Sequence, residues 1–331
     1  MSGKGHDIDQ WDRYWGYGNI HSFSQVSGGN YQGAIADFWR SRFRGLAEGS
    51  AIVDIATGNG AIALLALEES ERLSKGCRII GVDLADIDPV KLVRDPAVSG
   101  QLGRIEFHGR VSAESLPLDD RSIDMACSQF GIEYSDLSRS IPEAARILKP
   151  GGRFAAIMHH RESVLLNATR DELDQLDFVL NDVKLYLRTR NFLRALPAVA
   201  QRKGSAEVAR NSKVEKKQRA VQDALARIRQ GAASRTNANL LMGPARYVRE
   251  ILSRVDHTPP AELLEWLEEA LRRVVANQRR LIDMVAAAKG PDDIEELGLL
   301  LTEAGFSDKR MEVFRQEQGG LLGWSVEALK S

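Results

Sequence analysis

Apolar positions along the chain change their period several times, and the changes divide it. From Tyr31 to Leu46 the apolar residues Ile35, Phe38, Trp39 and Phe43 return on one face at helical spacing, with Gly45 and Gly49 closing the segment. Between about 50 and 160, short apolar runs (51–56, 77–84, 104–109, 122–130 and 153–160) alternate with helical stretches (60–73, 89–98 and 138–148). Strands this apolar are covered on both faces, which predicts a parallel sheet between two helix layers. From about 161 to 290 the strand signal stops, and the pattern predicts helices near 163–196, 205–230, 243–255 and 260–289. Val179, Leu180, Val183, Tyr186 and Leu187 show the amphipathic spacing. A helix (294–304) and two strands (308–316 and 321–329) then complete the pattern, and the Gly319-Gly320 turn is too short for anything but an antiparallel pair. The expected architecture is an α/β domain over 49–160 and 291–331, a helical insertion over 161–290, and an aromatic-rich helical lid over 1–48.

The lid assignment rests on composition, since residues 1–48 hold nine of the 21 aromatics. Across 331 residues, 43% hydrophobic and 27% charged content suits a globular chain. No apolar run approaches the roughly 20 residues of a membrane span, and MSGKGHDIDQ lacks the apolar centre of a signal peptide, so a cytoplasmic protein is expected. Cys77 and Cys127 each fall in a strand-like run and read as core residues, with no disulfide or metal site expected. The net charge of −1 hides an asymmetry: residues 161–290 carry 24 Lys and Arg against 16 Asp and Glu. The excess peaks over 202–235, with Lys213, Lys216, Lys217 and Arg219 among its ten basic residues. A solvated helix face is the favoured reading there, with nucleic-acid contact the competitor.

The chemistry concentrates in Asp54-Ile55-Ala56-Thr57-Gly58-Asn59-Gly60-Ala61-Ile62-Ala63. A buried strand enters a glycine turn and a helix N-terminus follows, which lets backbone approach a ligand closely. Gly58-x-Gly60-x-x-Ala63, with Asp83 ending the second strand, also fits a dinucleotide fingerprint, so an NAD(P)-dependent oxidoreductase competes. Two features count against it. Asp54 at the mouth of the first strand suits a cation better than a pyrophosphate, and dinucleotide-binding sheets do not usually end in an antiparallel hairpin.

With its neighbours, this segment resembles the class I S-adenosylmethionine-dependent methyltransferases, in particular the small-molecule branch related to ubiquinone and menaquinone methyltransferases. DIATGNGAIA resembles the first cofactor motif and GVDLA the acidic motif of the second strand. AESLPLDDRSIDMACSQFGIEY, IPEAARILKPGGRFAAI and LLTEAGFSD are similar to later motifs in the same order. The resemblance implies a Rossmann-like seven-stranded sheet and S-adenosyl-L-methionine as cofactor. It places Asp54, Ala56, Thr57, Gly58 and Gly60 at the methionine end, Asp83 on the ribose hydroxyls, Leu84, Ser112 and Ala113 at the adenine, and Gln129 and Phe130 beneath the sulfonium. Two positions depart from the family. Ala56 stands where many members have glycine, which a side chain tolerates at negative φ, and Ser112 stands where many have aspartate.

Methyl transfer needs an aligned nucleophile and, for some acceptors, a base. Candidates at the C-terminal strand ends are His159, His160 and Glu133, with His21 in the leader ranked lower. At most one of the adjacent His159 and His160 can face the pocket directly. Trp15, Phe23, Phe130, Tyr134 and Leu165 suggest a hydrophobic or aromatic small-molecule acceptor. O-methylation is favoured because histidine bases are at hand. The insertion reads as a cap, a homodimer contact, or both. An RNA methyltransferase using the basic 202–235 segment is the alternative; nucleic acid is not the expected partner, because that segment has no aromatic for base stacking.

Overall fold

The structure is a computed structural model that describes residues 9–22, 29–196 and 212–331. The expected acceptor contact Phe23 and residues 202–211 of the basic segment lie outside these. Two compact units are present, Met1–Asn167 with Asp283–Ser331, and Ala168–Ile282.

The first unit opens with α1 (Asp9–Gly16) and α2 (Gly33–Arg44). The sheet elements then follow as β1 (Ala51–Ile55), α3 (Ala61–Arg72), β2 (Arg78–Val82), α4 (Pro89–Leu92), α5 (Pro96–Leu102), β3 (Glu106–His108), β4 (Ile123–Gln129), α6 (Leu137–Ile147) and β5 (Leu148–His159). The expected single helix over 89–98 is two, because Asp95 caps Ala97 N and Pro96 starts a new helix at its first position. After the insertion come α12 (Pro291–Glu303), β6 (Phe306–Arg315) and β7 (Leu321–Lys330).

The seven strands lie in the order β3-β2-β1-β4-β5-β7-β6. β1 pairs in parallel with both β2 and β4, while β7 runs antiparallel to β5 and to β6. Alternation along β1 explains the layers: Ile52 joins a core with α2 and α3, whereas Val53 and Ile55 join a core with α6 and α12. The chain leaves β1 toward β2 and β3 and then returns to the other side of β1 as β4. That reversal opens a crevice at the C-terminal ends of β1 and β4, where open α/β sheets hold ligands.

The second unit has a core of its own. α7 (Val164–Asp177) leads through a wider turn at Phe178–Asp182 into α8 (Leu185–Leu193), and α9 (Ser212–Ala233), α10 (Asn239–Ser253) and α11 (Pro260–Ala287) follow. Val179, Val183, Val221, Ile228 and Val248 are fully buried within it. Cys127 is buried in the sheet, and Cys77, just ahead of β2, is partly exposed.

Candidate active site

The turn after β1 is built around the Asp54 carboxylate. Its Oδ2 accepts from Thr57 Oγ1 at 2.6 Å and from the backbone N of Ala63 at 3.2 Å, which ties the strand end to the first turn of α3. Asp54 is 1% exposed, and burial pushes its pKa up to about 7. Gly58 and Gly60 take left-handed φ of 55° and 88°, as the motif requires. Ala56 does not keep the negative φ expected for a residue with a side chain; its φ is 57°. The space its Cβ needs is left by Gly131, where an added Cβ would lie 2.5 Å from that of Ala56.

Asp83 follows β2, and its Oδ2 accepts from Gly58 N at 2.7 Å while Oδ1 accepts from Ala85 N at 2.8 Å. The carboxylate therefore fixes the glycine turn, and burial pushes its pKa up to about 6. Above it lies α1. The Trp15 ring rests on Gly58, so that a Cβ there would come within 2.4 Å of the indole. Asn59 Nδ2 donates to the carbonyls of Trp15 at 3.0 Å and Asn19 at 2.7 Å. Further along α1, Gln10 donates to Asp283 at 2.7 Å and Asp12 pairs with Arg110 at 2.9 Å. The cavity left beside Asp54, under Trp11 and Trp15, has a volume of about 30 Å³.

Gln129 and Phe130, leaving β4, line that cavity with His21 and Tyr31. Gln129 Oε1 accepts from the indole N of Trp39 at 2.6 Å. His21 stacks on Tyr31 with ring centroids 4.7 Å apart, and burial lowers its pKa. His159 is 1% exposed and stacks on Phe130 at 4.3 Å, and its backbone N donates to Glu133 Oε1 at 2.8 Å. Burial pushes the Glu133 carboxyl up to about 7. His160 stacks on Trp324 at 4.6 Å, and its Nδ1 accepts from Glu162 N at 2.9 Å, so the neutral ring carries its proton on Nε2. The two histidines thus divide, His159 toward Phe130 and His160 toward β7, and neither lines the cavity at Asp54. Leu84 is exposed. Ser112 Oγ accepts from Glu114 N at 3.2 Å, and Ala113 packs against the core shared with α6.

A family described as a methyltransferase domain matches residues 53–156, the stretch from Asp54 and its glycine turn to β5. Residues 53–156 form a class I methyltransferase domain. The chain is 37% identical over 108 residues to a ubiquinone/menaquinone biosynthesis C-methyltransferase of Geobacter sulfurreducens, covering 32% of this chain and 40% of that protein. A counterpart from a Marinomonas species is 31% identical over 152 residues, covering 42% of this chain and 56% of the relative. An uncharacterised methyltransferase of Mycobacterium bovis is 28% identical over 114 residues, covering 34% and 42% respectively. The chain spans about half the length of the curated relatives it matches.

The methyl donor of such domains is S-adenosyl-L-methionine, and the residues of this methyltransferase domain suit it. An ammonium and a sulfonium call for acceptors, and Asp54 is a buried carboxyl on the cavity; ribose hydroxyls call for a carboxylate, and Asp83 stands just after β2 beside the glycine turn. Gln129, which lines the cavity, has a buried Nε2 with no partner among the described residues, as expected of a site built for a polar guest. The match to a methyltransferase family leaves the dinucleotide alternative without support. Tyr31, on the cavity, and Trp39, bonded to Gln129, carried no cofactor role in the sequence, where they fell in a helical pattern, and Trp15 was expected on the acceptor side. Among the described residues, no helix is long and apolar enough to cross a membrane.

Proposed function

We propose that the protein transfers a methyl group from S-adenosyl-L-methionine to a small hydrophobic or aromatic acceptor. The observation that carries this is a buried carboxyl, Asp54, facing a cavity at the switch point between β1 and β4, with Asp83 at the end of β2. When bound, the cofactor supplies an electrophilic methyl on a positively charged sulfur. Asp54 and the turn backbone hold the charged amino-acid end, Asp83 holds the ribose, and Phe130 with His159 forms an aromatic floor that excludes water. A space of about 30 Å³ holds roughly one or two waters, so α1 must lift Trp15 off Gly58 before a nucleoside can enter.

The acceptor side is aromatic. Tyr134 meets Trp11 edge-on at 5.4 Å and His159 at 6.1 Å. An apolar wall of this kind supports a hydrophobic acceptor. The preference for oxygen rested on the histidines His159, His160 and His21 as candidate bases. His160 is engaged by Glu162 N and Trp324, and relatives named as C-methyltransferases make carbon an equal target. The RNA reading is weaker: the described part of the basic segment is α9, where Arg219 pairs with Glu215 within the helix. For the helical unit we propose a cap or a dimer contact, and for the compartment the cytoplasm.

The test is calorimetry with S-adenosylhomocysteine and with NAD. Micromolar-scale binding of the first is expected, weakened by about 1–3 kcal/mol in Asp83→Ala through lost charged hydrogen bonds. Binding of NAD with none of the sulfur nucleoside would overturn the assignment. Incubating cell extract with isotope-labelled methyl donor then identifies the acceptor: label in an apolar metabolite supports the proposal, and label in RNA replaces it.

A further inference from the structure

Gln129 ends β4 with its side chain nine-tenths buried. The indole N of Trp39, a fully buried residue of α2, donates to its Oε1 at 2.6 Å. An indole N–H can donate but cannot accept, so this single bond decides which way the amide points. Oε1 must face Trp39, and Nε2 is turned away from it. Nε2 is buried and has no partner among the described residues, and Gln129 lines the cavity that Asp54 also lines. A buried amide N–H without an acceptor is costly and is retained where a guest completes it.

The same cavity is lined by Ala61 and Ile62, the first two residues of the 12-residue helix α3. The positive end of that helix therefore meets the void from a second direction. One carboxyl and two sources of N–H donors around so small a space form the complement of a zwitterion. Asp54 takes the ammonium, and the donors take the carboxylate. Were the amide free to flip, an oxygen would meet the carboxylate and repel it.

We propose that Trp39 is a positioning residue that locks the Gln129 amide so that Nε2 donates to the carboxylate of the methyl donor's amino-acid end. The proposal rests on the methyltransferase reading and adds a residue and a selectivity to it. Trp39 then favours intact S-adenosyl amino acids over nucleosides that lack the amino-acid tail.

The experiment is calorimetry on the full chain with S-adenosylhomocysteine and 5′-methylthioadenosine, which shares the nucleoside and sulfur but has no amino-acid tail. Trp39→Phe keeps an aromatic ring among Phe38 and Phe43 and removes the N–H. It is expected to weaken S-adenosylhomocysteine about tenfold while leaving methylthioadenosine within about twofold, and Gln129→Leu is expected to do the same. Equal losses for both ligands would mark Trp39 as merely structural and overturn the proposal, as would no loss for either. A change confined to acceptor KM would also overturn it and assign the amide to the acceptor. Should a variant fail to fold, the wild-type protein still decides: decarboxylated S-adenosylhomocysteine, which keeps the amine, is expected to bind about tenfold more weakly than the parent, and equal affinity would overturn the proposal. If the wild-type chain bound none of these nucleosides, the methyltransferase reading itself would fail, an outcome distinct from loss of selectivity.

Discussion

Ala56 holds a left-handed backbone, φ 57°, at the end of β1. That conformation costs a residue with a Cβ about 1–2 kcal/mol, which the surrounding structure must hold in place. Gly131, following β4, is the matching half: a methyl there would meet the Ala56 Cβ at 2.5 Å and Ser128 Oγ at 3.1 Å. Gly131→Ala is therefore expected to destabilise the protein by about 1–3 kcal/mol through overpacking. Ala56→Gly relieves backbone strain but loosens the unfolded chain, and the two effects nearly cancel. In the double variant Ala56→Gly with Gly131→Ala the 2.5 Å contact is gone and only the milder ones to Ser128 Oγ at 3.1 Å and the Ala56 carbonyl at 3.2 Å remain, so a chemical-denaturation cycle should recover about 1 kcal/mol of coupling. Strict additivity would mean the contact is relaxed elsewhere. Sequence alone made the Asp54 and Gly58-x-Gly60 pattern legible, because strand, carboxylate and glycines are contiguous. The backbone angle at Ala56 was not legible, since the residue that permits it comes from a different strand.

At the scale of elements, α1 is the least legible in the sequence and the most consequential for the site. Its eight residues show too few turns for a period, and its position is set by tertiary contacts of Trp11, Tyr14 and Trp15 with Ala85 and Ile87. The aromatic load of the leader signalled a cover, whereas the identity of what it covers depended on the fold. Contacts of α1 compete with the guest for one surface: Trp15 lies on Gly58, and Asn59 holds the Trp15 carbonyl. Binding then includes an opening step, which slows association more than it alters the fold. Trp15→Ala is expected to raise the association rate of S-adenosylhomocysteine by about tenfold, followed in stopped flow by intrinsic fluorescence. An unchanged rate would mean that α1 does not gate the crevice. α2, in contrast, was legible as a helix from its apolar spacing, while the Trp39 bond to Gln129 required knowing that β4 ends beneath it.

For the whole molecule the decisive quantity is proton linkage, because Asp54, Asp83 and Glu133 are all buried at or just beyond the C-terminal ends of β1, β2 and β4. Burial raises their pKa values to about 7, about 6 and about 7. In the unfolded chain such groups titrate near pH 4. The folded, unliganded protein thus holds protons that the unfolded chain has released, and this contribution to stability is complete below about pH 4 and is lost as pH rises through 6 to 7. His21 and His160, whose pKa values burial lowers, act in the opposite sense below neutrality. The difference between free and liganded protein separates the site from that background. A cationic methyl donor favours the ionised form of Asp54, so binding releases its proton, and affinity should rise with pH at up to roughly tenfold per unit below about pH 7 before levelling off. The gain in Tm from S-adenosylmethionine is accordingly expected to grow between about pH 5.5 and 7.5, and to grow less with S-adenosylhomocysteine, which lacks the sulfonium charge. Asp54→Asn should flatten both profiles. A Tm gain independent of pH in the wild-type protein would show that the cation does not lie against Asp54, and with that the electrostatic basis for placing the methyl donor at the β1–β4 crevice would be gone.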